Sequence, residues 1–163
     1  MSIPLEAAVV SVTIFRAGEA HNVIPQTATL GGTVRTLTEA VRELCEARVK
    51  AVAETVASAF GASAHVAYSR GYPVTCNTPE QTAFMASAAA EVAGEGAVDA
   101  NVPPVMGAED FSYMLEQRPG AYILLSNGDT AGVHHPAYDF NDAAIPYGTS
   151  LWARIIETGM PVR

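Results

Sequence analysis

The order of apolar and polar residues along the chain predicts two regions of different architecture. In the first region, residues 9–17 and 27–36 are rich in β-branched and aromatic side chains and predict two strands. Apolar residues then recur at spacings of three and four after Thr38, a candidate N-cap, and predict an amphipathic helix over residues 39–60. Residues 63–71 predict a third strand. This β-β-α-β order matches a ferredoxin-like β-α-β-β-α-β sandwich without its opening strand and helix.

The second region predicts three helices around a single strand. Residues 78–81, TPEQ, have the pattern of a capping box and predict a helix that ends near Gly94. A short helix over 108–117, a wholly apolar buried strand over 121–128 and a closing helix over 141–159 follow. The apolar residues predicted to face a core from this last helix are Leu151, Trp152, Ile155 and Ile156. One strand with three helices indicates the edge of a larger α/β sheet.

Composition and charge argue against some classes of function. Of the 163 residues, 49% are hydrophobic and 16% charged, which is typical of a globular protein with a core. The net charge of -8 and the scattered basic residues argue against nucleic acid as a partner. No apolar run approaches the roughly 18 residues of a membrane span, and no targeting signal is recognised, so the prediction is a cytoplasmic protein without a membrane partner. Cys45 and Cys76 are interpreted as reduced thiols.

Two adjacent histidines, His134 and His135, are candidate metal ligands because imidazole is the commonest metal-binding side chain and the following Pro136 favours an extended backbone. The alternative is a solvated surface turn. A hydrolytic zinc site needs at least three protein ligands and a base, and no partner with local ligand spacing accompanies the pair. The other histidines, His21 and His65, stand alone.

Further polar candidates lie in two other stretches. Asn22 could donate to a polarised carbonyl oxygen, and Arg35 could pair bidentately with a carboxylate. Their alternatives are a turn asparagine and an exposed strand arginine. Glu109 and Asp110 either line a cleft or cap the short helix that follows them.

The stretches HNVIP, GGTVRT, MGAEDFSYM and HHPAYDFND, in this order, resemble the M20 metallopeptidase family, and most closely its amidohydrolase branch of hippurate hydrolases, N-acyl-amino-acid deacylases and auxin-conjugate hydrolases. The resemblance covers about residues 4–157. It implies a catalytic α/β domain with one or two metal ions, usually zinc or manganese, interrupted by a ferredoxin-like lid that often dimerises. Residues 1–72 would be the second half of this lid or dimerisation domain, and residues 73–163 the C-terminal segment of the catalytic domain, in an α/β (α+β) fold.

The resemblance also implies roles for single residues. His134 matches the last metal ligand of the family, whereas His135 falls where the branch often has asparagine and receives no ligand role. Asn22 matches the lid asparagine that reaches the substrate carbonyl, commonly in the partner subunit's active site. Arg35 matches the arginine that recognises the substrate carboxylate. Glu109 and Asp110 match a segment close to the metal but not its ligands.

The remaining metal ligands of the family and its glutamate base come from an N-terminal half that nothing in this chain matches. The expectation is therefore a fragment of a metal-dependent hydrolase of N-acyl amino acids, inactive alone and homodimeric, with an incomplete site for zinc or manganese. Two alternatives stay open. One is a non-catalytic dimerisation or ligand-binding module derived from the family, and the other is a single-metal protein that uses His134, His135 and Glu109.

Overall fold

The computed structural model describes residues 7–160, which adopt a mixed α/β fold. The described elements are β1 (Ala8–Ala17), β2 (Ala28–Thr36), α1 (Glu39–Ala59), α2 (Pro79–Ala93), a short 3₁₀ helix (Glu95–Ala97), α3 (Ser112–Gln117) and α4 (Ala144–Gly159). They divide between two compact units. The first comprises residues 7–74 and 103–110, and the second comprises residues 75–102 and 111–160. No helix within residues 7–160 is both long enough and apolar enough to cross a membrane.

The two predicted strands of the first unit form an antiparallel hairpin. Its register runs from the pair Ala8 and Thr36 to the pair Ala17 and Ala28, with an irregularity between Val12 and Ile14. At this bulge, the backbone of β1 approaches Gly32 so closely that a β-carbon there would lie 1.9 Å from the Ser11 carbonyl oxygen. A glycine at this position is therefore required by the bulged backbone of the partner strand.

Both predicted ends of the first helix are confirmed. The Thr38 hydroxyl accepts the Val41 amide N–H at 3.3 Å, as an N-cap does. At the other end Gly61 adopts a left-handed conformation with φ of +72° and donates its N–H to the Ser58 carbonyl. Ala62 donates to the Ala57 carbonyl at 2.9 Å, so the last carbonyls of the helix are satisfied.

The prediction of a third strand over residues 63–71 is wrong, since this segment has no regular secondary structure. A strand needs a hydrogen-bonded neighbour, and β1 and β2 form the whole sheet of the described residues. The segment is instead held against α1 by side-chain hydrogen bonds. Arg70 donates to Glu46 and Glu39, each at 2.8 Å, and Arg42 donates to the Gly71 carbonyl at 2.8 Å.

The ion pairs of Arg70 predict a pH-dependent contribution to stability. The pKa of the Glu46 carboxyl lies below its usual range because it accepts hydrogen bonds from Lys50 and Arg70. A lowered carboxyl pKa stabilises the fold above the usual pKa, and this stabilisation is lost as the pH falls through the lowered value. We expect Arg70→Met to lower the free energy of unfolding at neutral pH, and this loss to shrink below about pH 4.

Urea unfolding from neutral to acidic pH checks this expectation. The control is Arg48→Met on α1, the helix that carries Glu46, because Arg48 is exposed and makes no ion pair with a described residue. A loss of stability in Arg70→Met that stayed the same at every pH would contradict the role of the Glu46 carboxylate.

In the second unit, α2 confirms the predicted helix, but its capping differs from the prediction. The Thr78 hydroxyl makes no bond to a helix N–H. It donates to Gln81 Oε1 at 2.5 Å and accepts the Gly120 N–H at 3.1 Å. The expected capping box does not form, since the Gln81 side chain accepts from the Thr78 hydroxyl and the Thr78 N–H donates to the Gly120 carbonyl at 2.9 Å. The helix ends at Gly94, which has φ of +90°.

The predicted buried strand over 121–128 is not formed, and Leu124 and Leu125 are 66% and 55% exposed. The physical reason is that no other strand lies within the described part of this unit to provide a ladder.

The two remaining helices of the unit are both formed. α3 ends before Pro119, as predicted. α4 is confirmed as a helix and packs against α2, yet Trp152 is 62% exposed instead of facing a core. Ile156 is likewise exposed, whereas Leu151 and Ile155 are half-buried. The buried apolar residues of the unit are Ala88, Ala89 and Ala144.

Candidate functional site

Asn22 lies in the loop that joins β1 to β2. It is exposed and sits in a turn in which the Val23 N–H donates to the Ala20 carbonyl at 3.4 Å. Gly18 begins the loop with φ of +71°, a conformation that side chains rarely adopt. This position leaves the Asn22 amide accessible to a ligand from outside the hairpin.

Arg35 lies near the other end of the hairpin, exposed on β2 and opposite Val9. Its Nη1 donates to the Met106 carbonyl oxygen at 3.1 Å. Met106 belongs to the segment 103–110, which is part of the same compact unit. A guanidinium has five N–H donors, so one bond to a carbonyl leaves a fork that can pair with a carboxylate. Sequence reasoning missed the Met106 carbonyl, because no side-chain motif marks a backbone acceptor.

The hairpin register does not bring Asn22 and Arg35 together. The loop that carries Asn22 rejoins the sheet at Ala28, which is seven residues before Arg35 on β2. At roughly 3.4 Å per residue this is about 24 Å of strand. The carbonyl and the carboxylate of an N-acyl amino acid are only a few bonds apart. One such molecule is therefore much shorter than the strand between the Asn22 loop and Arg35.

Glu109 and Asp110 do not cap the helix that follows them. α3 has Phe111 at its N-cap position and no side-chain cap bond. The Asp110 N–H donates to Glu109 Oε1 at 3.2 Å. The capping prediction is wrong because the N-cap position falls on Phe111, one residue after Asp110, and a phenylalanine side chain has no acceptor for a helix N–H.

His134 and His135 lie in two consecutive turns of the second unit. The His135 N–H donates to the Gly132 carbonyl at 3.1 Å, and the Tyr138 N–H donates to the His135 carbonyl at 2.9 Å. Within residues 7–160, His134 is the one non-glycine residue with a positive φ, +70°. Both imidazoles are exposed.

Asn127 anchors the stretch that follows these turns, and sequence reasoning did not identify it. Its Nδ2 donates to the Asp139 carbonyl at 2.7 Å, and its Oδ1 accepts the Asn141 N–H at 2.8 Å. An asparagine before glycine signals a turn, and this Asn-Gly pair was the available clue. Beside the anchor lies an open, mainly apolar cavity of about 330 Å³, whose lining includes Leu125, Tyr138, Phe140 and Trp152.

The described residues do not complete a metal site. No group of three or more His, Cys, Asp and Glu side chains able to hold a metal ion lies within residues 7–160. Zinc sites in hydrolases use at least three protein ligands, so His134 could provide only one of them. The hypothesis of a single-metal protein using His134, His135 and Glu109 therefore has no support in this part of the chain.

Comparison with known proteins identifies the family. The model of peptidase family M20/M25/M40 matches residues 6–158. The chain belongs to peptidase family M20. The resemblance of the four stretches to the M20 family is thereby confirmed over nearly the whole chain.

Two named relatives are similar to this chain over most of its length. The chain is 33% identical over 152 residues to the hippurate hydrolase of Campylobacter jejuni, covering 93% of this chain and 40% of the relative. It is 34% identical to the N-acetyldiaminopimelate deacetylase of Streptococcus pneumoniae over 148 residues, covering 90% of this chain and 39% of that protein. The chain thus spans about two fifths of the length of these relatives.

A solved structure gives the same result for the fold. The Bacillus subtilis YXEP protein, a dinuclear metal-binding peptidase of the M20 family, superposes with a TM-score of 0.73 at 29% sequence identity. The superposition covers 96% of this chain and 43% of the YXEP chain. The mixed α/β fold of the chain is therefore that of a part of an M20 peptidase.

Proposed function

We propose that this chain is part of a metal-dependent hydrolase that cleaves the amide bond of N-acyl amino acids. The observation that carries the proposal is the M20 match across residues 6–158. Its relatives support the reaction, because they include a hippurate hydrolase and an N-acetyldiaminopimelate deacetylase, both named for an N-acylated amino acid. The lid assignment of residues 1–72 and the catalytic-domain assignment of residues 73–163 are parts of the same proposal.

Within this function, three residues have distinct roles. Arg35 binds the substrate carboxylate through its guanidinium fork. His134 contributes one imidazole to the metal site. Asn22 donates its amide to the substrate carbonyl oxygen, where negative charge develops during hydrolysis. Because about 24 Å of strand separates Arg35 from the loop of Asn22, the Asn22 of one chain serves the site of a partner chain.

The metal of the parent enzyme is zinc or manganese in this proposal. When bound, such an ion activates water and polarises the amide carbonyl. The other ligands and the glutamate base are supplied by a part of the parent enzyme that residues 7–160 do not provide. The described residues alone would be inactive, since a lone imidazole neither holds zinc tightly nor activates water.

Metal stoichiometry tests the proposal of an incomplete site. The chain and its His134→Ala variant are loaded with zinc, dialysed and weighed by native mass spectrometry. We expect almost no tightly bound zinc in either sample. One or more zinc ions per chain that the variant loses would show that the chain assembles a complete site, and would overturn the proposed inactivity.

Arg35 gives a test of substrate recognition in the parent enzyme. We expect Arg35→Ala to raise KM for an N-acyl amino acid roughly 10- to 100-fold and to change kcat less, because a charge-assisted bond to a carboxylate is lost from ground and transition states alike. Arg35→Lys keeps the charge without the fork and should be intermediate. Arg16→Ala on the neighbouring strand is the matched control. Steady-state kinetics with an unchanged KM in Arg35→Ala would refute this role.

A non-catalytic dimerisation or ligand-binding module is the second candidate function. The observation that favours it is the exposure of large apolar side chains in the first unit, including Phe15 at 71% and Phe60 at 86%. Light scattering coupled to size-exclusion chromatography tests the proposed homodimer. A homodimer without hydrolysis by the parent protein would favour the module, whereas metal-dependent hydrolysis favours the enzyme. A cytoplasmic location stays part of the proposal.

A further inference from the structure

The backbone of His134 is held in a conformation that its side chain disfavours. The turn 132–135 is closed by the bond from the His135 N–H to the Gly132 carbonyl, and His134 occupies its third position with φ of +70°. A positive φ at the third position but not at Val133 in the second is the pattern of a type II turn, where glycine or asparagine is the usual third residue. A positive φ is uncommon for any residue other than glycine, although histidine adopts it more often than most, so the contacts that support it matter.

Burial does not provide this support. Every residue from 132 to 140 is exposed, and Val133 is 71% exposed. The support that the described residues show is local: hydrogen bonds within residues 132–138, and Pro136, which restricts the backbone of His135 before it. His135 takes part in both, because its N–H closes the turn 132–135 and it directly precedes Pro136.

The His135 side chain makes a bond that is usually made by asparagine or aspartate. Its Nδ1 accepts the N–H of Ala137, two residues further along, at 3.1 Å. This is the pattern of an Asx turn, in which a side-chain acceptor takes the N–H of the residue two positions on. The same two residues lie in the turn 135–138, where Pro136 holds the second position with its preset φ. His135 thus closes the first turn with its backbone N–H and caps the second turn with its ring.

We propose that His135 is a positioning residue that fixes the left-handed backbone of His134 and so the direction of the His134 imidazole. Its Nδ1 is occupied by the Ala137 N–H, which makes Nε2 the protonated nitrogen of the neutral ring. His135 acts through the peptide backbone and not as a second ligand. The functional meaning of this positioning rests on the metal role proposed above for His134.

Two substitutions of His135 separate the side-chain acceptor from the imidazole. His135→Asn keeps an acceptor within reach of the Ala137 N–H, whereas His135→Leu has similar bulk and no acceptor. NMR of the apo chain at mildly alkaline pH measures three quantities: the His135 tautomer, the φ of His134 from three-bond HN–Hα couplings and intraresidue NOEs, and the exchange rate of the Ala137 amide.

In the wild type we expect the Nε2–H tautomer of His135 and a positive φ at His134. In His135→Leu the Ala137 amide should exchange between about twofold and tenfold faster, and the His134 couplings should shift towards negative φ. His135→Asn should restore both to wild-type values. Unchanged α2 and α4 resonances in each variant show that the second unit is still folded.

The proposal is overturned if His134 keeps its positive φ in His135→Leu, or if His135→Asn behaves like His135→Leu. No metal is present in these measurements, so their outcome does not depend on the proposed function. A zinc titration of the parent enzyme, followed on the His134 ring, then tests the metal role separately. If the left-handed conformer falls to roughly a tenth of the molecules in His135→Leu, the apparent Kd for zinc should rise about tenfold. Zinc that leaves the His134 ring unperturbed in the wild type overturns the metal role and not the positioning.

Discussion

His134→Ala should abolish the metal-dependent amide hydrolysis that we propose for the parent protein. The substitution removes the imidazole that we propose as a metal ligand, and metal stabilisation of a reacting carbonyl contributes several kcal/mol to catalysis. Since each 1.36 kcal/mol corresponds to a factor of ten in rate, we expect kcat/KM to fall by roughly a thousandfold or more. The metal content of the purified variant should fall in parallel.

The control for this experiment is His65→Ala. His65 is also exposed, but it lies in the first compact unit, on the segment fastened to α1. Its substitution should leave both turnover and metal content unchanged. Activity that survived in His134→Ala would show that the ligand has been misassigned, and a loss of activity with full metal content would point to a role other than coordination.

The parts of the fold that sequence predicts correctly are those specified by nearby residues. Thr38 caps α1 through the N–H three residues on, and Gly61 ends it with a positive φ. The two strands of the hairpin are predicted by the β-branched and aromatic residues within each of them, whereas their register comes from the structure. Such signals lie within a few residues of the element that they define.

The wrong predictions concern segments whose conformation depends on distant partners. Residues 63–71 and 121–128 have strand-like composition, but neither finds a ladder neighbour within residues 7–160. Trp152 on α4 follows the pattern of a core-facing residue, but it is exposed because no described element packs over it. An apolar pattern predicts that a face will be covered, and it does not predict which surface covers it.

In the candidate site, too, sequence predicts some features and not others. The motifs identify Asn22, Arg35 and His134 through family resemblance, because side-chain identity is what a motif records. They do not predict the bond from Arg35 to the Met106 carbonyl or the left-handed turn at His134, since both depend on backbone geometry. The His-His pair is a turn, as the alternative reading held, and its metal role stays a proposal.

Gly32→Ala is the second substitution with a large expected effect, and it acts on the fold. An added β-carbon would lie 1.9 Å from the Ser11 carbonyl oxygen and 3.0 Å from the Val12 Cα. Both atoms belong to the backbone of β1, so no side-chain rotation relieves the clash and the bulge itself must move. Overpacking of this kind typically costs 1–3 kcal/mol, and we expect about 3 kcal/mol because backbone has to shift.

Gly31→Ala, one residue earlier in the same GGTVRT motif, is a matched control. Its β-carbon would meet the Ile14 Cδ1 at 3.3 Å, and that atom is the far end of a flexible side chain. Both substitutions restrict the unfolded chain equally, so their difference isolates the clash at the bulge. Gly31→Ala should change the free energy of unfolding by less than about 1 kcal/mol.

Hydrogen exchange of the β2 amides measures both effects within the first unit, without requiring that the two units unfold together. Protection should collapse in Gly32→Ala and persist in Gly31→Ala. Equal protection in the two variants would mean that the bulge of β1 adapts to a side chain, and the glycine would then have no structural requirement. The expected difference would instead establish that the second glycine of GGTVRT maintains the hairpin that carries Arg35, so loss of activity at this position would be a loss of fold and not of chemistry.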